Sequence, residues 1–165
     1  MCLTRIDARY EVGSKEYSRV RKAWKILRTK PFEHRYVDEN ETPSNGLYFL
    51  YPGTHNQDQS IPRGTWSKAV EREVYTSGDG DSKGVSNYGS YTSGFHVFRT
   101  RKDAITYTGK ADWQQQGRGD VLEKIIPVKV RGVRVKGEEA GFGMRASWVQ
   151  GVMVADEMYV PKEKK

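Results

Sequence analysis

Residues 121–136, V-L-E-K-I-I-P-V-K-V-R-G-V-R-V-K, constrain this chain more than any other stretch. Apolar and polar side chains alternate as in a strand with one face buried. Yet Ile126, Val128 and Val130 hold even positions, whereas Val133 and Val135 hold odd ones. Strand side chains change face at every residue, so a slip of one position turns all later side chains over. The parity changes at Arg131-Gly132, which predicts a glycine bulge or tight turn there. On the opposite face Lys129 and Arg131 precede the change, and Arg134 and Lys136 follow it.

Several shorter segments surround this strand. From Tyr17 to Leu27 the apolar positions Tyr17, Val20, Trp24 and Leu27 step by helical spacing, while Ala23 to Leu27 suits a strand equally well; a short basic helix or a helix-to-strand passage is expected. Pro31 and Pro43 bracket a polar stretch. Gly46 to Tyr51 is a buried-strand pattern closed by Pro52-Gly53, and Ala69 to Tyr75 alternates as an exposed strand. Residues 53–65 and 76–94 read as loops, the second rich in glycine and tyrosine. Phe95 to Phe98 reads as a strand leading into a helix capped by Thr100 and Asp103, and Gly109 is expected to end that helix after about two turns. A last strand or helix covers Ser147 to Val154, and Tyr159-Val160 adds an edge. The balance of strands over short helices predicts an α+β fold: one domain over 1–165, with a mostly antiparallel, twisted sheet and two or three short helices. Residues 1–14 and 161–165 are expected to be mobile termini.

Composition narrows the function classes. At 165 residues, 36% of them hydrophobic with 17 glycines, the chain can bury a core without a staple. Its single cysteine, Cys2, cannot form an internal disulfide, and His34, His55 and His96 are too few for a closed zinc site without carboxylates. Neither a signal-peptide core nor a membrane-length apolar run is present, so a soluble cytoplasmic protein is expected. The net charge of +7 is concentrated: residues 1–30 hold nine Lys/Arg against three Asp/Glu. Such asymmetry points to an anionic partner rather than to a fold.

Candidate chemistry follows from these residues. Cys2 would become an N-terminal nucleophile if Met1 were removed. Its charged surroundings and the lack of a recognisable partner favour an incidental thiol. His96 sits in a strand pattern that suits a hydrogen-bonded structural histidine as well as a catalytic one. Asp79-Gly80-Asp81-Ser82 lacks the twelve-position pattern of a calcium loop. The firmest signal is basic residues interleaved with aromatic ones. Arg19, Arg21, Lys22 and Arg28 are the expected phosphate contacts, and Trp24, Tyr88 and Tyr91 the expected stacking rings. Arg131 and Arg134 form a second basic patch, with Lys129 and Lys136 beside them. His96 completes the ligand-binding set.

The stretch Gly94-Phe95-His96-Val97-Phe98-Arg99-Thr100-Arg101-Lys102-Asp103-Ala104, followed by the strand Ile126 to Val130, resembles a family of small uncharacterised bacteriophage proteins. These also begin Met-Cys-Leu and carry an early strand ending in a Lys-x-Leu-like pattern, as in Lys25-Ile26-Leu27. The likeness covers about residues 92–135 and is loose elsewhere. It implies a phage origin and, from the habit of small phage proteins, inhibition of bacterial defence, for example by sequestering signalling nucleotides. A weaker likeness is to the ADP-ribosyltransferase fold, on Leu50 to Thr54 and on Gly94 to Val97 leading into a helix. Pro52 stands where that family's NAD-binding histidine would be, and Glu123 is the nearest candidate for its glutamate.

The expected function is therefore a non-catalytic binder of an anionic ligand, a nucleotide, cyclic nucleotide or nucleic acid, acting as a phage counter-defence protein in the host cytoplasm. The alternatives are a protein–protein inhibitor of a host defence enzyme, and an ADP-ribosyltransferase-like enzyme whose catalytic residues would be Cys2 or Glu123 with His96. No metal, cofactor or membrane partner is expected, and a homo-oligomer is compatible with the sequence.

Overall fold

The segment with the parity change is one strand of 17 residues, β8 (Glu123–Glu139), and the other elements are arranged along it. A computed structural model describes residues 3–29, 46–49, 60–71, 73–75, 90–114, 123–139 and 150–163 of the chain. Val128 and Val130 are buried before Gly132, and Val133 and Val135 after it. Gly132 has φ +68°, and the pairing of β8 with β9 (Gln150–Tyr159) shifts by one residue between Val133 and Val135. A bulge is present, displaced from the expected Arg131-Gly132 to the Val133–Val135 step, with Gly132 supplying the left-handed backbone just before it. A side chain at 132 is excluded twice over, by the left-handed backbone and by Asp156 Cβ, which would lie 2.9 Å from an added Cβ.

One edge of β8 carries two strands in succession. β1 (Arg5–Arg9) pairs from Arg5↔Glu138 to Arg9↔Val135, and β2 (Arg21–Arg28) from Arg21↔Val130 to Arg28↔Glu123. After Tyr10, whose N–H still donates to the Arg134 carbonyl at 2.8 Å, residues 11–20 leave the edge and form one helical turn, α1 (Lys15–Ser18). So short a helix is marginal alone. Ser14 caps it by accepting the Tyr17 N–H at 3.1 Å, and the Tyr17 hydroxyl donates to Asp156 Oδ2 at 2.5 Å. The expected helix-to-strand passage is found, with the switch falling before Arg21.

The other edge of β8 carries β9 from Lys129↔Tyr159 to Glu139↔Gln150. The far edge of β9 takes β7 (Phe95–Phe98), from Phe95↔Ala155 to Phe98↔Val152, and β4 (Trp66–Lys68), from Trp66↔Tyr159 to Lys68↔Glu157. β7 reaches β2 at Trp24↔Phe98, so β2, β8, β9 and β7 close into a ring. β3 (Tyr48–Phe49) extends the end of β2, and β5 (Glu73–Tyr75) pairs separately with β6 (Ser90–Thr92). Helix α2 (Arg101–Gln114) follows β7 directly.

Two apolar clusters result. One gathers Leu27, Phe95, Val97, Val130, Val133 and Met158 with Leu47 and Ile61 over it. The other joins Leu3, Ile26, Phe98, Val152 and Val154 to Ala104 of α2. Each fully buried Leu, Val, Met or Phe contributes roughly 1.5–3 kcal/mol relative to exposure. The fold is α+β and mostly antiparallel, with two helices among the described residues.

Several expectations need correction. The stretch 1–14 is not a free end over its described part: Leu3 is 0% exposed and β1 is paired along β8. At the other end Arg63 bonds Glu163 at 2.7 Å on the surface. Thr100 caps α2 as expected, accepting the Asp103 N–H at 3.1 Å while Asp103 Oδ2 accepts the Thr100 N–H at 3.1 Å. The helix, however, runs through Gly109 to Gln114. An interior glycine costs about 1 kcal/mol against alanine, too little to end a helix by itself. The last segment is a strand and absorbs Tyr159. Within the expected loop 76–94, Ser90–Thr92 is a strand; among the described residues of the expected strand Ala69 to Tyr75, Glu73–Tyr75 is a strand and 69–71 is not.

Candidate functional site

The register across four strands sets one row of side chains on a single face. Lys22 of β2 lies directly opposite Lys129 of β8, Lys129 opposite Tyr159 of β9, and Tyr159 opposite Trp66 of β4. Directly opposed residues point to the same side of a sheet, with Cβ atoms about 4.5–5.5 Å apart. Val128 and Val130 face the core, so Lys129 between them faces outward. Lys22 and Lys129 are exposed, and Tyr159 and Trp66 are half-buried.

The rings and cations of this face touch one another. Lys129 Nζ lies 5.9 Å from the Tyr159 ring centroid, and the Tyr159 and Trp66 rings are 5.6 Å apart at 49°. In the adjoining row Arg131 stacks its guanidinium 4.4 Å from the Trp66 centroid while bonding Glu157 at 2.6 Å. Lys68 stands opposite Glu157. Among the described residues neither Lys22 nor Lys129 has a carboxylate partner.

The forecast residues divide around this face. Lys22 and Arg131 belong to it. Arg19 is exposed beside Glu16 at 3.8 Å, and Arg21 is held by Glu16 at 2.6 Å and lies 5.5 Å from the Tyr10 centroid. Arg134 is held by Asp156 at 2.6 Å and by Glu71 at 2.7 Å, which clamps β8 to β9 at the bulge. Arg28 is buried at the far end of β2, and Trp24 is half-buried against the second core cluster. Tyr88 and Cys2 lie outside the described residues, as do His34, His55 and the side chain of Glu123.

Tyr91 and His96, expected at a ligand, are core residues at 3% and 9% exposure. Gly94 O lies 3.2 Å from His96 Nδ1, and a carbonyl can only accept, so Nδ1 carries the proton. Nε2 then accepts the Tyr91 hydroxyl at 2.9 Å, and that hydroxyl accepts the Leu3 N–H at 3.0 Å. Burial pushes the His96 pKa down to about 3. A histidine locked neutral with both nitrogens engaged does not exchange protons near neutral pH.

A buried ionisable pair lies nearby. Lys25 is half-buried, but its ammonium is deep in the protein mass and donates to the His96 carbonyl at 2.6 Å. Burial lowers its pKa to about 8. Burial also pushes Glu139, 5% exposed, up to about 7, with Lys25 opposing that rise. Among the described residues the Glu139 Oε2 atom has no hydrogen-bond partner.

No protein-family model, curated protein or solved structure matches the chain. Among the described residues, no group of three or more His, Cys, Asp or Glu is placed to hold a metal ion, and no helix is long and apolar enough to cross a membrane. The residues missed by sequence reasoning are Trp66 and Tyr159. Their signal was faint: Tyr159 stands between Met158 and Val160, both buried, so strand alternation turns it outward.

Proposed function

We propose that this protein is a non-catalytic binder of an anionic ligand, a nucleotide or nucleic acid, that acts in phage counter-defence through the outer face of β2, β8, β9 and β4. The observation that carries this reading is the Lys22–Lys129 pair. Like charges directly opposite each other destabilise a sheet. Both lysines are exposed without a carboxylate among the described residues, so the pair supplies two positive charges at one point. A phosphate there would relieve their repulsion and release counterions. Tyr159 and Trp66, one and two strands from Lys129, would take the flat part of the same ligand.

The test is binding of a labelled oligonucleotide at several salt concentrations to the wild type and to the Lys22→Glu/Lys129→Glu double variant. Each phosphate contact contributes about 0.7–0.9 to the slope of log affinity against log salt. The double variant is expected to lower both affinity and slope. Unchanged affinity and slope would remove this face from the function.

A further inference from the structure

The row Lys22–Lys129–Tyr159–Trp66 also carries information about the form of its ligand. We infer, resting on the reading above, that the ligand is single-stranded nucleic acid, bound across the strands with its phosphates at Lys22 and Lys129 and its bases on Tyr159 and Trp66. Four neighbouring strands place these side chains along a line of three inter-strand steps, about 14 Å at about 4.8 Å each. Cations occupy one end of that line and rings the other. A duplex keeps its bases stacked inside and offers a surface only phosphate and groove edges, so two rings on a sheet face would gain little from it. An unpaired strand exposes phosphate and base faces together, and aromatic side chains on a sheet stack such bases.

The arrangement around Trp66 supports the same form. Arg131 lies against the ring at 4.4 Å and is itself held by Glu157 at 2.6 Å, so the indole has a packed neighbour before any ligand arrives. Glu157 neutralises Arg131, which leaves Lys22, Lys129 and Lys68 as the cations of the face without an ion pair among the described residues. The cation on the Trp66 ring is thus already paired, and the unpaired charge of the face rests on the lysines. Stacking on a ring tolerates any base, so the preference expected is for strandedness rather than for sequence.

The experiment is fluorescence anisotropy with a polythymidine strand of about twelve nucleotides, within the usual range of about 4–16 for single-strand sites. Its duplex with polyadenine and thymidine monophosphate serve as competitors. The wild type is compared with Trp66→Leu, Trp66→Phe and Lys22→Glu/Lys129→Glu, each checked by thermal melting. The expected result is single-strand binding at least about ten-fold tighter than duplex, weakened about ten-fold by Trp66→Leu and largely retained by Trp66→Phe. Should Trp66→Leu fail to fold, Trp66→Phe against wild type, with tryptophan fluorescence quenching on adding the strand, reports the same contact. Equal or tighter duplex binding, or indifference to the ring together with no quenching, overturns the single-strand inference and leaves the anion reading standing. Binding that ignores the lysine double variant, or a protein partner captured on this face in place of nucleic acid, overturns both.

Discussion

The Tyr91 hydroxyl donates to His96 Nε2 across 2.9 Å and accepts the Leu3 amide at 3.0 Å, so one phenol joins β6, β7 and the segment before β1. Replacing it by phenylalanine leaves a buried amide and a buried imidazole nitrogen unsatisfied. Each such orphan costs about 1–3 kcal/mol. Tyr91→Phe is therefore expected to lower unfolding free energy by about 2 kcal/mol or more in urea titrations; a loss below about 0.5 kcal/mol would show that the relay is not maintained in solution.

His96 gives acid sensitivity of a definite sign. Its folded pKa of about 3 lies below its ordinary value of 6.5, so the unfolded chain binds the extra proton between those limits. The stability it contributes is present above about 6.5 and is lost as pH falls towards about 3. A His96→Gln variant is less stable at neutral pH but flatter in this window. Unfolding midpoints of the two proteins at several pH values check it, and parallel profiles would contradict it.

Glu139 works in the opposite direction. Its pKa is raised from 4.5 to about 7 by burial, so the folded state holds the proton longer than the unfolded one. Its contribution is fully present below about 4.5 and is lost as pH rises through about 7. Glu139→Gln, neutral at every pH, is expected to remove that decline. The difference between variant and wild type should grow between acid and neutral pH, and a constant difference would mean that Glu139 is not buried as a carboxyl group.

Gly132 and Gly13 form a matched pair for testing the bulge. Both have positive φ, +68° and +88°, but an added Cβ at 13 meets nothing within 4 Å, whereas at 132 it meets Asp156. Gly13→Ala is expected to cost about 1 kcal/mol, the left-handed penalty alone. Gly132→Ala is expected to cost about 2 kcal/mol or more, because β8 and β9 must also separate. Equal costs in thermal melts would show that the close approach to Asp156 is not felt.

Lys22→Glu separates stability from binding. Alone, it turns a like-charge pair with Lys129 into an opposite-charge pair, and such cross-strand changes are worth about 0.2–1 kcal/mol. Thermal stability is expected to rise slightly while oligonucleotide affinity falls. A gain in both would argue that the lysine pair is not retained for a ligand.

Local chemistry carried much of the fold. Strand alternation in 121–136 announced β8 and, because a parity change has few other solutions, an irregularity near Gly132; the register shift falls just beyond it, between Val133 and Val135. The Thr100–Asp103 cap was equally readable, since both partners lie within one turn. The end of α2 was not, because an interior glycine lowers helix stability without deciding it.

The site was legible only in its ingredients. Basic residues and rings are visible in the chain, but whether an arginine is free or clamped depends on carboxylates far away in sequence. Arg134 meets Asp156 and Arg131 meets Glu157 through strand pairings that no local pattern records, and Glu71 reaches Arg134 from outside the strands. Tyr91 resembled a surface ring beside a glycine-rich stretch, yet β6 turns it into the core against His96. The sequence by itself determined which segments alternate, that β8 must bulge near Gly132 and how much positive charge the protein carries. Only the tertiary structure decided that Lys22, Lys129, Tyr159 and Trp66 share one row, because strand register is set by long-range hydrogen bonding and core burial rather than by neighbours along the chain.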